Sequence, residues 1–321
     1  MLAGGREKMD EKTFESEAPD VISVGNLNID LIGELDRMPE PDEKTLLRNF
    51  ARHPGGGAAN FAVALEKMGI RSELVARSGK GRFGKELMDS LREFDVGCRF
   101  VKRVDTITGF AFVFSTRKGE RFLMEHRGAN EELVVSDVED WLMERAELLH
   151  GSSLNPRISL ELGKKAKDFD LLTSLDLGAE LSKLSSDELL EIFKHYDICF
   201  MNRGTFVRIF EEKPSEGALS KYIPANMRFL AVTLGSEGAL VTDGLSEVRA
   251  PGFDVKVEST TGAGDAFAAG FNRCLLSGWN LEESVEYASA AASLKVQNGR
   301  FWRGFPTHRE VEDFIESCKG N

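Results

Sequence analysis

Ser259-Thr260-Thr261-Gly262-Ala263-Gly264-Asp265-Ala266-Phe267-Ala268-Ala269-Gly270 is the stretch on which the reading of this chain turns. Small residues and two glycines run into an apolar, helix-compatible segment, and one carboxylate, Asp265, stands at the junction. The first turn of a helix carries backbone N–H groups without intrahelical acceptors, and the helix dipole is positive there. Gly262 and Gly264 allow such a backbone to turn tightly and approach an anion closely. Anion binding alone gives no reason for a carboxylate in that turn. A base that removes a hydroxyl proton, while the N–H groups hold a transferring phosphoryl group, does give one. The plainer reading is a tight turn with an Asp placed for the helix dipole.

A second stretch shifts the balance. Gly55-Gly56-Gly57-Ala58-Ala59-Asn60 opens a helix after an extended segment and exposes backbone N–H groups to a ligand. Asn60 adds a donor and an acceptor suited to a polyhydroxylated substrate. Alone, the run reads as a hinge and a helix start. A third stretch, Gly25-Asn26-Leu27-Asn28-Ile29-Asp30, follows the apolar strand Val21-Ile22-Ser23-Val24. Ligands of doubly wound sheets bind beyond the carboxyl ends of strands, which makes Asn28 and Asp30 candidates for hydrogen bonds to substrate hydroxyls. Asn and Asp are also the ordinary residues of a simple turn.

Composition limits the function classes. The 321 residues suffice for a large α/β domain with a smaller appendage. Lys+Arg 41 against Asp+Glu 53 gives a net charge of −12, which argues against nucleic acid as the main partner. Cys98, Cys199, Cys274 and Cys318 form no CxxC pair, which points to a reducing, cytoplasmic location. The histidines lack metal-ligand spacing, and no apolar run reaches membrane-spanning length. Residues 1–20 are mostly charged or small; they read as a flexible N-terminal tail without the apolar core of a signal peptide.

The rest of the chain alternates between strand and helix patterns. Phe61, Leu65 and Met68 share a helical face closed by Gly69. Strands are predicted at Glu73–Ala76, Leu171–Leu175, Ile198–Met201 and Phe229–Leu234, and helices at Phe83–Phe94, Asp187–His195, Asp265–Leu276 and Leu281–Val296. Gly238–Gly244 reads as a hairpin-like strand, and Ser136-Asp137-Val138-Glu139 as a capping box that opens a helix. This rhythm predicts a mainly parallel sheet covered on both faces. The polar segment from Leu31 and the strand Phe110–Phe114 stand outside it and suggest a small β lid.

Gly79-Lys80-Gly81-Arg82-Phe83-Gly84 competes for the nucleotide. It fits the spacing of a dinucleotide fingerprint, and Asp105 follows at a suitable distance. It follows a later strand than the first, however, and Asp95–Arg103 offers no clean second βα unit. The extension Lys85-Glu86 lacks the hydroxyl that a phosphate-binding loop needs for magnesium.

In the order and spacing of these motifs, the chain resembles the ribokinase-like, or phosphofructokinase-B-type, carbohydrate kinases. The resemblance spans Val21 to about Ile315, and the joint presence of Gly-Gly-x-x-x-Asn and Thr-Gly-Ala-Gly-Asp is far more specific than either motif alone. It implies an α/β three-layer sandwich with a mainly parallel central sheet. The kinase domain would cover residues 21–319, with a small β lid formed by segments near 31–53 and 106–128. Asp265 is implied as the base, and Gly262, Ala263 and Gly264 as the anion hole. Asn28, Asp30, Gly56, Gly57 and Asn60 fall on substrate positions, and Asn202, Thr233, Gly235, Gly238 and Asn298 on the nucleotide side. ATP with Mg²⁺ is the implied co-substrate, a sugar or nucleoside the acceptor, and a homodimer through the lid a further implication. Three positions depart from the pattern. Thr205 stands where a Glu helps organise magnesium, so the metal ligands are left open. Ser259 replaces an Asp of potassium-activated members. Gly57 replaces a Lys of ribokinases proper. The alternatives are a nucleoside kinase, with Phe110 and Phe112 as a surface for the base, or a non-catalytic sensor on the same fold.

Overall fold

The computed structural model describes residues 18–118, 120–299 and 301–319. The expected N-terminal tail lies outside the described residues except for its last three, of which Asp20 is anchored by Arg71 at 2.8 Å.

Short apolar strands build a nine-stranded sheet. In chain order they are Val21–Gly25 (β1), Ser72–Gly79 (β4), Val101–Val104 (β5), Leu148–Ser152 (β8), Leu172–Asp176 (β9), Ile198–Asn202 (β10), Phe229–Thr233 (β11), Ala239–Thr242 (β12) and Glu247–Ala250 (β13). Their spatial order is β13-β12-β11-β10-β9-β8-β1-β4-β5. All pairs are parallel except β11–β12 and β12–β13, which are antiparallel. Strands buried on both faces need apolar residues at every position, and β10 shows why. Ile198 and Phe200 join one hydrophobic cluster, Cys199 and Met201 the other. Helices Gly57–Lys67 (α1), Arg82–Glu93 (α2) and Ala263–Leu276 (α7) supply the first cluster. Pro156–Ala166 (α4), Ser186–Phe193 (α5) and Arg203–Phe210 (α6) supply the second. Leu281–Asn298 (α8) lies along α7, and His308–Lys319 (α9) packs on α8.

Four strands form a separate sheet: Asn28–Leu35 (β2), Arg48–Gly55 (β3), Gly109–Thr116 (β6) and Arg121–His126 (β7), in the order β3-β2-β6-β7. Asn28 and Asp30 therefore sit on a lid strand, not in a turn after β1.

Several local expectations are corrected. Ser136–Glu139 opens no helix: the short helix Asp140–Met143 (α3) begins after Glu139. Asp137 instead accepts from Val134 N–H at 3.2 Å, capping the short turn Val135–Asp137, and pairs with Arg77 at 2.6 Å and Lys102 at 2.9 Å. Strand β5 follows the glycine motif and pairs with β4 in parallel, but two lid strands, not a helix, come next, so no second βα unit forms there. The motif itself is filled by chain. Arg103 Nε donates to the Gly79 carbonyl at 3.0 Å, and any Cβ on Gly84 would collide with that carbonyl. Close packing, not a dinucleotide, accounts for Gly79 and Gly84, while Gly81 faces open space.

Candidate active site

Gly262 turns the chain into α7. Its φ of 82° lies in the left-handed region open to glycine, and it occupies the N-cap. Ala263 N–H reaches back to the Thr260 carbonyl at 3.3 Å, and Ala266 N–H to Gly262 at 2.9 Å. Between them, the N–H groups of Gly264 and Asp265 have no intrahelical acceptor and face out of the helix end. A Cβ built on Gly264 would meet nothing within 4 Å, so this turn faces open space. The Asp265 carboxylate is partly accessible but deeply enclosed. Burial pushes its pKa up to about 6; the Asn60 hydrogen bond and the Lys295 charge oppose that rise, and Asp30 adds to it.

Asn60 comes from α1, which starts from Gly56 at φ 100°. Its Nδ2 donates to Asp265 Oδ2 at 2.8 Å, and its Oδ1 accepts from Trp302 Nε1 at 2.8 Å. Asp30, Asn60, Gly262, Lys295 and Trp302 line one small pocket under the lid. Burial raises the Asp30 pKa to about 6, against the lowering effect of Arg121, while Glu125 raises it further. Arg121 also latches the lid to the glycine turn, through Thr261 Oγ1 at 2.7 Å. Gly57 lies against the Ser152 and Ser153 hydroxyls, where a Cβ would collide. Asn28 is buried to one side of the pocket: its Oδ1 accepts from Asn130 at 2.6 Å, and its amide lies 3.5 Å from Glu125.

On the other side of the glycine turn, a cavity of about 550 Å³ is lined by Thr233, Gly235, Gly238, Ala263, Gly264 and Phe267 among others. That volume is ample for a nucleotide-sized ligand. The two pockets adjoin at α7's first turn, where Gly262 lines the small one, of about 10 Å³, and Ala263 and Gly264 line the larger. Asn202 ends β10 opposite Thr233 of β11 and caps α6, accepting from Thr205 N–H at 2.9 Å. Thr205 itself is buried. Asn298 lines the neighbouring larger cleft with Thr260, Thr261 and Arg121, and donates to the Gly304 carbonyl at 3.3 Å.

Three site residues escaped the sequence reading. Asp176 ends β9 at the carboxyl edge of the sheet, where a polar residue after an apolar strand could have marked it. Burial, and then the Asp265 charge, push its pKa up to about 7. Lys295 lies inside an otherwise small and apolar run of α8, so a cation there stands out only once its burial is known. Trp302 had no signal: nothing local says which long-range partner an indole will meet.

Comparison with known proteins agrees with this geometry. The description "pfkB family carbohydrate kinase" matches residues 18–302. An ATP-dependent 6-phosphofructokinase of Thermoanaerobacterium thermosaccharolyticum is 27% identical, covering 90% of this chain and 91% of its own. The Methanocaldococcus jannaschii nucleoside kinase structure aligns with a TM-score of 0.81 at 26% identity, over 92% of this chain and 98% of its own. An Arabidopsis thaliana ribokinase structure, complexed with ribose and ATP, aligns with a TM-score of 0.83 at 25% identity, over 93% and 99%. With the family match running through nearly the whole described fold, the chain belongs to the pfkB family of carbohydrate kinases and is a phosphotransferase with an alcohol group as acceptor.

Proposed function

We propose that the protein transfers the terminal phosphoryl group of ATP to a hydroxyl of a sugar or nucleoside, with Asp265 as the general base. The observation that carries this reading is that the first turn of α7 stands between the two pockets, Gly262 lining one and Ala263 and Gly264 the other, with Asp265 next in the chain and bonded to Asn60 of the small pocket. The acceptor hydroxyl lies between Asp30, Asn60 and Asp265. Asp265 takes its proton as the oxygen attacks phosphorus, the bond from phosphorus to the nucleotide breaks, and the nucleoside diphosphate leaves with the bonding pair. The N–H groups of Gly264 and Asp265 hold the charge on the transferring group. The lid, held down by Arg121, excludes water, which would otherwise compete as acceptor.

Among the described residues, no three His, Cys, Asp or Glu side chains are grouped to cage a metal ion. A protein cage for Mg²⁺ is therefore not found among the described residues. Magnesium brought in on the nucleotide phosphates needs none, because it retains several waters.

A nucleoside acceptor is the second reading. The likeness to a nucleoside kinase structure supports it, whereas Phe110 and Phe112 do not: they pair with Ile29 and Leu31 and so lie on the lid face opposite Asp30 and Ala111. Phe50 is more than half exposed on the lid face away from Asp30, a surface suited to a second copy of this chain. No described helix is long and apolar enough to cross a membrane, in keeping with a cytoplasmic enzyme.

A coupled assay across sugars, sugar acids, inositols and nucleosides, each with ATP and ADP, tests the proposal. Turnover with ATP and one sugar or nucleoside class supports it. Nucleotide binding without turnover on any acceptor points to a sensor.

A further inference from the structure

Lys295 has no task in that transfer, and its surroundings are expensive for a cation. It is 1% exposed, in the last turn of α8. Among the described residues its ammonium has one hydrogen bond, to the Gly299 carbonyl at 2.7 Å, and it lies 5.2 Å from the centre of the Phe305 ring. Burying a charge on so few partners is unfavourable unless a further charge repays it. The stem runs directly under the anion hole: a Cβ on Gly262 would sit 3.2 Å from Lys295 Cε and 3.1 Å from Phe305 Cζ. Lys295 also lines the same pocket as Asp30, Asn60 and Gly262.

We propose that Lys295 is a positioning residue for phosphoryl transfer, a tethered cation beneath the N-terminus of α7 that keeps Asp265 ionised and reinforces the positive field holding the transferring group. The inference rests on the phosphotransfer reading above. Neutral N–H groups and a helix end supply only partial positive charge, and an ammonium in a low-dielectric floor adds a full one without blocking the pocket mouth.

Charges from every packed element bear on the pair. Asp265 faces Asp30 from the lid, Asp176 from β9 and Lys295 from α8, and Lys295 faces Asp265 and Lys67 of α1. Burial lowers the Lys295 pKa to about 8, with Asp265 opposing that fall and Lys67 adding to it. Lys295 thus carries its proton at neutral pH and loses it under mildly alkaline conditions.

The test compares Lys295→Met, Lys295→Ala and wild type over pH 5–10 with saturating nucleotide, once an acceptor is known. Lys295→Met is expected to lower kcat at least tenfold, move the acid limb upward because the ion favouring ionised Asp265 is gone, and abolish an alkaline fall near pH 8. Ethylammonium is expected to restore part of the Lys295→Ala rate without affecting wild type. A folded Lys295→Met with wild-type kcat and acid limb overturns the proposal. So does a lost rate with an unmoved acid limb and no amine rescue, which would make Lys295 a packing residue. Should Lys295→Met not fold, wild-type activity that stays flat from pH 7 to 10 overturns it. Each result leaves the phosphotransfer reading intact, because that reading stands or falls on wild-type turnover.

Discussion

Trp302 donates its indole N–H to Asn60 Oδ1 at 2.8 Å, and this contact decides which way the Asn60 amide faces. With its oxygen occupied, Asn60 can offer only its NH₂ end to Asp265, again at 2.8 Å. The reverse orientation would set a carbonyl against a carboxylate. Trp302, three hundred residues into the chain, thus fixes the hydrogen bond that favours the ionised base. Trp302→Phe keeps most of the buried aromatic volume and removes only the donor. It is expected to lower kcat and raise the acid limb of the pH profile, with nucleotide Kd unchanged. A wild-type profile in this variant would show that the Asn60 amide is held by something else.

Asp265→Asn is the sharpest test of the base. The amide retains the shape and the link to α1 but cannot accept a hydroxyl proton, a loss that typically costs ~10²–10⁴-fold. Nucleotide Kd, measured by calorimetry, is expected to stay near the wild-type value. In the wild type the ionised form is required and its pKa is about 6, so kcat/KM for the acceptor is expected to fall as pH drops through that value. Asp30, also near 6, titrates alongside it, so the limb belongs to the cluster. Turnover retained in Asp265→Asn would reduce Asp265 to a helix-start residue.

Gly264→Val separates the anion hole from the fold. No protein atom lies within 4 Å of a Cβ there, so the variant has room to fold. The added side chain projects into the space where the nucleotide pocket meets the glycine turn. Catalysis is therefore expected to collapse while Tm moves little. Unchanged kinetics in a folded variant would rule out phosphoryl binding at this turn.

How far the fold and site were legible depended on the range of the interactions involved. The strands Ile198–Asn202 and Phe229–Thr233 were readable within a residue, because burial on both faces demands continuous apolar runs. The glycine turn and Asp265 were readable because their chemistry is local to five residues. Ser136–Glu139 misled because Glu139 is itself the N-cap of the helix that follows, while Asp137 caps the preceding turn at Val134 and binds Arg77 and Lys102. Leu148–Ser152 was too short and mixed to register, although it lies beside β1 at the centre of the sheet. Asp176 and Lys295 lie in other elements from Asp265, and Trp302 acts on Asn60 from the far end of the chain, so only folding assembles them around the base.

Asp30→Ala asks whether the acceptor lies on the lid side. A site built to hydrogen-bond a hydroxyl penalises the loss of a partner by roughly 1–3 kcal/mol, because the remaining groups are left unpaired. Acceptor kcat/KM is expected to drop by that amount with nucleotide Kd steady. Movement of the nucleotide constant alone would place the acceptor on the wrong side of the cleft.

Asp176 gives a prediction about stability. Its pKa in the folded protein, about 7, lies above the ordinary carboxylate value of 3.8, because burial and Asp265 both penalise its charge. A raised folded pKa means that the native state binds the proton more tightly than the unfolded chain. The resulting stability is complete below pH 3.8 and is lost progressively as pH rises through about 7. Above that pH the native state carries a charge it would hold more cheaply as a neutral amide. Asp176→Asn is therefore expected to raise Tm at pH 8 by roughly 2–4 °C for each kcal/mol of strain relieved, with the gain shrinking as pH falls toward 4. Thermal melts of both proteins across that range, without nucleotide, make the comparison. A gain independent of pH would trace to packing, and a loss at pH 8 would mean that the Asp176 charge is paired in the folded protein after all.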